Sequence, residues 1–86
     1  MRSLDKIRSE IDKTDVQILS LIKKRLLLVI RVGRIKQENN LKVKDLRREK
    51  EVLENIAEKA KSLNISTLFI RKIWKLFFNE SYKLEK

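Results

Sequence analysis

Apolar side chains recur at steps of three and four residues in three segments of the chain, without strand-like alternation. The first and longest segment runs from about Leu4 to Asn39. This pattern predicts one long helix, with Ser3 as its N-cap and the pair Asn39-Asn40 as its stop. Its apolar positions are Leu4, Ile7, Ile11, Ile18, Leu21, Ile22, Leu28, Val29, Val32 and Ile35.

Two shorter helices follow a polar loop. The pattern predicts a second helix from about Leu46 to Ser62 and a third from about Thr67 to Leu84. Asp45 and Ser66 are their predicted N-caps, and Asn64 ends the second helix. Because the connections are short and no internal repeat occurs, we expect an all-α fold of three helices in a single domain, residues 1–86.

The length of the first helix predicts a partner. A helix of about 35 residues is about 50 Å long, whereas a compact globule of this size has a radius of gyration of about 12 Å. The two shorter helices cannot cover such a rod, so its apolar face requires another surface. The simplest partner is a second copy, and we predict an intertwined homodimer.

Composition narrows the possible chemistry. The chain of 86 residues has one Gly and no Pro, Cys or His, which favours helix and excludes Cys/His zinc sites, disulfides and Cys or His nucleophiles. It shows neither a signal sequence nor an apolar run of membrane-spanning length, so we expect a soluble, cytoplasmic protein without membrane association. The net charge of +10 predicts an anionic partner. Nucleic acid, a membrane surface and a small polyanionic metabolite all fit that charge.

Several charged or polar residues occupy positions that the helical pattern reserves for apolar ones. Arg25 and Lys36 share a face of the first helix with Val29 and Val32, and a buried face normally excludes cations unless an anion meets them. Similar positions on all three helices hold Arg8, Glu49, Ser81 and Glu85. This coincidence, with cations in excess, favours a binding site for an anion.

Each residue also has a simpler interpretation. A cation at the edge of an apolar stripe can extend into water, and Glu49 can pair with a nearby cation. Asp45 can serve only as an N-cap, and Glu85 can lie in a frayed terminus. Gly33, the only glycine, can mark a close approach between helices.

Spacing along the first helix suggests that the site is shared between chains. Arg8 and Arg25 are 17 positions apart, or about 25 Å along a straight helix, too far for both to hold one small ligand. Arg25 and Lys36 are about 16 Å apart, which side chains leaning together can bridge. In an antiparallel dimer, Arg8 of one chain can reach the Arg25–Lys36 face of the other.

The runs IRSEIDKTDVQILSLIKKR, VGRIK, VKDLRRE and NES, in this order, resemble the all-helical chorismate mutases of the AroQ class. The resemblance covers nearly the whole chain. It implies an interlocked helical dimer that converts chorismate to prephenate, at the branch point toward phenylalanine and tyrosine. The rearrangement is pericyclic, so the resemblance implies no metal and no cofactor.

By position, the resemblance also implies roles for the polar residues already identified. Arg25, with Arg8 from the partner chain, would hold the two substrate carboxylates. Lys36 would bond the ether oxygen of the breaking C–O bond, and Glu85 stands where the family's second ether-oxygen donor is commonly Gln. Lys36, Glu85 and Arg25 are thus the implied catalytic residues.

The remaining implied contacts concern the rest of the substrate. Arg48 would add positive charge, and Glu49 would accept from the ring hydroxyl, helped by the backbone at Asp45. Ser81 would lie near a carboxylate. Chorismate is a small dianion, which accounts for cations on a face that should be buried.

Other functions remain open at this point. A nucleic-acid-binding helical dimer fits the charge, but the cations are spread over all helices and no recognition-helix turn or base-stacking aromatic set occurs. A purely structural dimer does not explain Arg8, Arg25 and Lys36 together. Within the fold, an isochorismate pyruvate-lyase and a mutase for the amino analogue of chorismate are the nearest alternatives.

Overall fold

The computed structural model describes residues 2–86, which form three α-helices and no strand. Helix α1 spans Arg2–Glu38, α2 spans Leu46–Ser62 and α3 spans Thr67–Glu85, which confirms the predicted all-α class. The predicted helix ends differ from these by one or two residues at three places. The prediction for Ser3 was wrong, because α1 begins before it and Ser3 lies in the first turn instead of capping it.

Polar residues set the ends of the shorter helices as predicted. The Asp45 carboxylate accepts a hydrogen bond from the backbone N–H of Arg48 at 3.0 Å, and Ser66 Oγ accepts one from the N–H of Phe69 at 3.2 Å. Each bond satisfies a donor that the first helical turn leaves free. Asn64, which follows α2, has a φ of 58°, in the left-handed region that asparagine tolerates better than most residues.

Helix α3 holds the fold together. It packs against both α1 and α2, which have no comparable contact with each other. The core of the single chain is thin: among the described residues, the buried apolar side chains are Ala57, Ala60 and Phe78. Helix α3 is therefore the element that connects the packing of α1 with that of α2.

The long helix leaves most of its apolar face uncovered. The chain measures 57 × 24 × 15 Å, and Ile7, Ile11 and Ile18 are about half exposed, at 54%, 53% and 49%. A continuous apolar stripe of this kind is typical of an interaction surface. Within residues 2–86, no helix combines the length and the apolar content needed to cross a bilayer.

Candidate active site

A pocket of about 190 Å³ opens between the three helices and the loop before α2. Its apolar lining comes from Val29, Val32, Val52 and Phe78. Its polar lining comes from Arg25, Lys36, Asp45, Arg48, Glu49, Ser81, Tyr82 and Glu85. Seven of the eight site residues predicted from sequence therefore meet in one place. The eighth, Arg8, lies outside the pocket, exposed on α1.

Two contacts from α3 orient the Arg25 guanidinium. Its Nη1 donates to Ser81 Oγ at 3.3 Å, and its central carbon lies 4.8 Å from the centroid of the Phe77 ring, within the range of a cation–π contact. Phe77 is supported by the edge of Trp74, with centroids 5.2 Å apart. Burial, and then the nearby charge of Arg48, lower the pKa of Arg25, although a guanidinium stays charged at neutral pH. Arg25 is thus a fixed cation at the pocket wall.

The Ser81 hydroxyl supports Arg25 from within α3. The residue is buried, and its O–H donates to the carbonyl of Phe77 at 2.7 Å while its oxygen accepts from Arg25. A hydroxyl has one proton to donate, and here the helix backbone takes it. In this arrangement the Ser81 hydroxyl holds the Arg25 guanidinium and has no proton left for another acceptor.

Lys36 and Glu85 form a largely buried pair in the lining of the pocket. Lys36 Nζ lies 2.6 Å from Glu85 Oε1, and the side chains are 15% and 5% exposed. The ammonium also donates to the backbone carbonyl of Val43 at 2.5 Å. Glu85 lies inside α3 with its side chain covered, so the alternative of a frayed terminus was wrong.

The carboxyl of Glu85 is incompletely satisfied despite its close cation. Lys36 Nζ lies 2.6 Å from Oε1, but among the described residues no hydrogen bond to this oxygen is formed. A buried carboxylate oxygen without a hydrogen bond is unfavourable. The oxygen is therefore available to meet a further polar group in the pocket.

Gly33 allows this pair to form. A Cβ at this position would lie 2.8 Å from the Cα of Glu85 and 3.2 Å from its Cβ, closer than atoms of a packed helix pair can approach. The end of α3 therefore rests on the bare backbone of α1. The close helix approach predicted for Gly33 is confirmed.

The α2 side of the pocket is held by contacts other than those expected. Arg48 pairs with Glu51 on the exposed surface of α2. Glu49 does not pair with a cation within residues 2–86; its Oε2 accepts a hydrogen bond from the hydroxyl of Tyr82 at 2.6 Å. Glu49 is thus held by a neutral donor from α3.

Tyr82 lines the pocket but was not predicted as a site residue. It follows Ser81 directly and precedes Glu85 by three positions, so helical spacing places it beside residues that were identified. Burial, and then the hydrogen bond to Glu49, raise the pKa of Tyr82 to about 12. Its hydroxyl therefore stays protonated near neutral pH.

These features define a class of site: fixed cations and a buried carboxyl group around a small pocket, suited to a small anion. Comparison with known proteins then identifies the family, since the family model described as chorismate mutase type II matches residues 7–86. The chain belongs to this family.

Individual relatives agree with this assignment. A bifunctional chorismate mutase/prephenate dehydratase from Buchnera aphidicola subsp. Schizaphis graminum is 35% identical over 92% of the chain and 20% of its own length. A T-protein from Haemophilus influenzae is 35% identical over 99% of the chain and 22% of its own length. The chain thus spans about a fifth of the length of these relatives.

A solved structure shares the fold over its full length. A conserved hypothetical protein from Pyrococcus furiosus is 36% identical, with a TM-score of 0.79. The match covers 100% of this chain and 99% of that one. The three-helix arrangement that builds the pocket is therefore present in a known protein.

We expect Gly33→Ala to lower stability, although alanine normally stabilises a helix by about 1 kcal/mol relative to glycine. The new Cβ would push against the backbone of Glu85 and displace the end of α3. Thermal unfolding at fixed protein concentration shows whether the melting temperature falls or rises. Ser20→Ala, at an exposed position of α1, is the control. A higher melting temperature for Gly33→Ala would show that the close approach is not required.

Proposed function

We propose that this chain is a chorismate mutase that catalyses the Claisen rearrangement of chorismate to prephenate. The observation that carries the proposal is the meeting of two shielded cations, Arg25 and Lys36, with the carboxyl of Glu85 in one pocket. Membership in the chorismate mutase type II family supports it. The reaction is intramolecular, so the site needs to position and stabilise one substrate and needs no nucleophile.

The proposed mechanism has two parts. Arg25 holds a carboxylate and helps to select the chair-like conformer in which the reacting carbons are close. Lys36, and Glu85 when it carries a proton, donate to the ether oxygen, where negative charge grows as the C–O bond breaks. Donors placed in advance in a partly dry pocket stabilise this charge more than mobile water does. Only contacts that strengthen in the transition state raise kcat.

The charges around the pocket support a shared site. One chain supplies three cations and three carboxyl groups, namely Arg25, Lys36, Arg48, Asp45, Glu49 and Glu85. With all six ionised the lining is neutral, which does not suit a dianion. A proton on Glu85 and a further arginine would together give two net positive charges.

Arg8 is the proposed source of that further charge. It lies about 25 Å from Arg25 along α1, and it is exposed on the helix whose apolar face is uncovered. In an antiparallel homodimer, the same contact that covers this face brings Arg8 to the partner's pocket. We therefore propose an intertwined dimer with two sites, each completed by the other chain.

The first test is direct. Purified protein should remove the ultraviolet absorbance of chorismate, and Lys36→Gln should lower kcat/KM by about 10²- to 10³-fold, the usual effect of removing one such donor. Lys50→Gln removes the same charge from an exposed position on α2, and its kcat/KM should be close to that of wild type. Absence of any chorismate turnover at micromolar enzyme would refute the proposed function.

Subunit exchange tests the shared site. Arg8→Ala and Arg25→Ala homodimers should each be nearly inactive, because every site lacks one arginine. After mixing under exchange conditions, a heterodimer has one site with both arginines and should regain up to half the activity of wild type. If the mixture regains nothing although exchange is demonstrated, Arg8 does not act on the partner's site.

The dependence of kcat on pH tests the role of Glu85 as a hydrogen-bond donor. An ether oxygen only accepts hydrogen bonds, and so does an ionised carboxylate, so only the protonated form of Glu85 can donate and kcat should fall as the pH rises. Glu85→Gln keeps an N–H donor at every pH, and its profile should be flatter on the alkaline side. Glu80→Gln, exposed on the same helix, is the matched control. If the profiles of kcat against pH for wild type and Glu85→Gln superimpose, Glu85 does not donate to the ether oxygen, and Lys36 is the only side-chain donor proposed there.

A further inference from the structure

One hydrogen bond across the pocket has no part in the mechanism above. The hydroxyl of Tyr82 on α3 donates to Oε2 of Glu49 on α2 at 2.6 Å. Both residues line the pocket, and both are half-buried. The bond joins α2 and α3, whereas the Lys36–Glu85 pair joins α1 and α3.

We propose that Tyr82 is a positioning residue that fixes the Glu49 carboxylate, so that the free oxygen of Glu49 accepts a hydrogen bond from the substrate's ring hydroxyl. The inference rests on the proposed function, because it concerns the same pocket and the same substrate. It assigns a role to a residue outside the set of charged groups that hold the carboxylates and the ether oxygen.

The contacts around Glu49 explain why its orientation depends on Tyr82. A glutamate side chain has several rotatable bonds, and a useful acceptor must be held in one of its rotamers. Arg48, the adjacent cation, pairs with Glu51 and not with Glu49. Within the described part of the chain, Tyr82 makes the one side-chain hydrogen bond to Glu49, and Oε1 receives none.

The chemical nature of the donor determines what Glu49 can recognise. Burial, then the bond to Glu49, raise the pKa of Tyr82 to about 12, with smaller upward effects from the charges of Glu49 and Glu85 and a downward effect from the backbone of Asp45. The donor is therefore neutral and protonated throughout the working range of pH. Unlike a lysine or arginine, it holds Glu49 without cancelling its charge, so the carboxylate remains a strong acceptor.

This arrangement makes Tyr82 a determinant of specificity. A substrate with a hydroxyl at the matching ring position satisfies the free oxygen of Glu49. An analogue without that hydroxyl leaves a partly buried carboxylate oxygen unpaired, and sites built around a polar contact reject such analogues strongly. Without the Tyr82 hydroxyl, Glu49 can rotate away, and discrimination between the two substrates should shrink.

A double-mutant cycle tests the proposal. Tyr82→Phe should lower kcat/KM for chorismate about tenfold, the scale expected for a hydrogen bond to a charged group. The loss should appear mainly in KM, because a ring-hydroxyl contact is equally strong in substrate and transition state. In a Glu49→Ala background, Tyr82→Phe should have no further effect. Additive losses, or a loss confined to kcat, would overturn the proposal.

A second readout does not depend on activity. Tyr82 is the only tyrosine, so tyrosinate absorbance reports its titration alone, with circular dichroism confirming that the helices persist. The midpoint should lie near pH 12 in wild type and move toward the ordinary value of 10.0 in Glu49→Gln. Mutase activity with no such coupling overturns the inference about Tyr82 alone. Coupling without any mutase activity instead overturns the proposed function, and with it the substrate contact assigned to Glu49.

Discussion

The contact between the end of α3 and the C-terminal part of α1 determines the geometry of the pocket. Gly33 presents bare backbone there, and the backbone of Glu85 comes within a distance that no side chain at position 33 would allow. One turn further along α1, Lys36 meets the carboxyl of Glu85. Because α3 also carries Ser81 and Tyr82, the same contact sets where Arg25 and Glu49 are held.

The interior of the pocket is better suited to binding than to stability. A buried ion pair recovers little of the energy lost when its charges leave water, and Glu85 Oε1 receives no hydrogen bond within residues 2–86. Replacing such a pair by well-packed apolar residues is often neutral or stabilising. Under the proposed function the pair is useful because Lys36, and Glu85 when it carries a proton, can donate to the ether oxygen of the substrate.

Much of the fold could be predicted from the sequence because helical period and capping are local properties. The three helices and the caps at Asp45 and Ser66 follow from short stretches of chain. The single glycine, Gly33, indicated a close helix approach but not the residue that it meets. Arg25 and Lys36 could be identified because cations on an apolar row conflict with the period around them. The predicted start of α1, at Leu4, was two residues too late. Serine is a common N-cap, but Ser3 lies inside the helix.

Contacts between helices could not be predicted in the same way. Helical period places Tyr82 beside Glu85, but it does not tell which residue of α2 faces it, and so the bond to Glu49 was missed. The hydrogen bond from the Ser81 hydroxyl to the backbone carbonyl of Phe77 depends on a side-chain rotamer, which helical period does not specify. In the proposed dimer, the covering of the α1 face and the contacts of Arg8 would depend on a second chain, whose position no single-chain pattern specifies.

The proposed function requires a pocket that is complementary to a dianion whose ether oxygen gains negative charge. The most direct measurement is calorimetric binding of a bicyclic ether dicarboxylate that mimics the chair-like transition state. Such mimics bind at least 10²-fold more tightly than the substrate when a site is complementary to the transition state. We predict that wild type shows this preference and that Lys36→Gln loses most of it. Equal affinity of wild type and Lys36→Gln for the mimic would contradict the account.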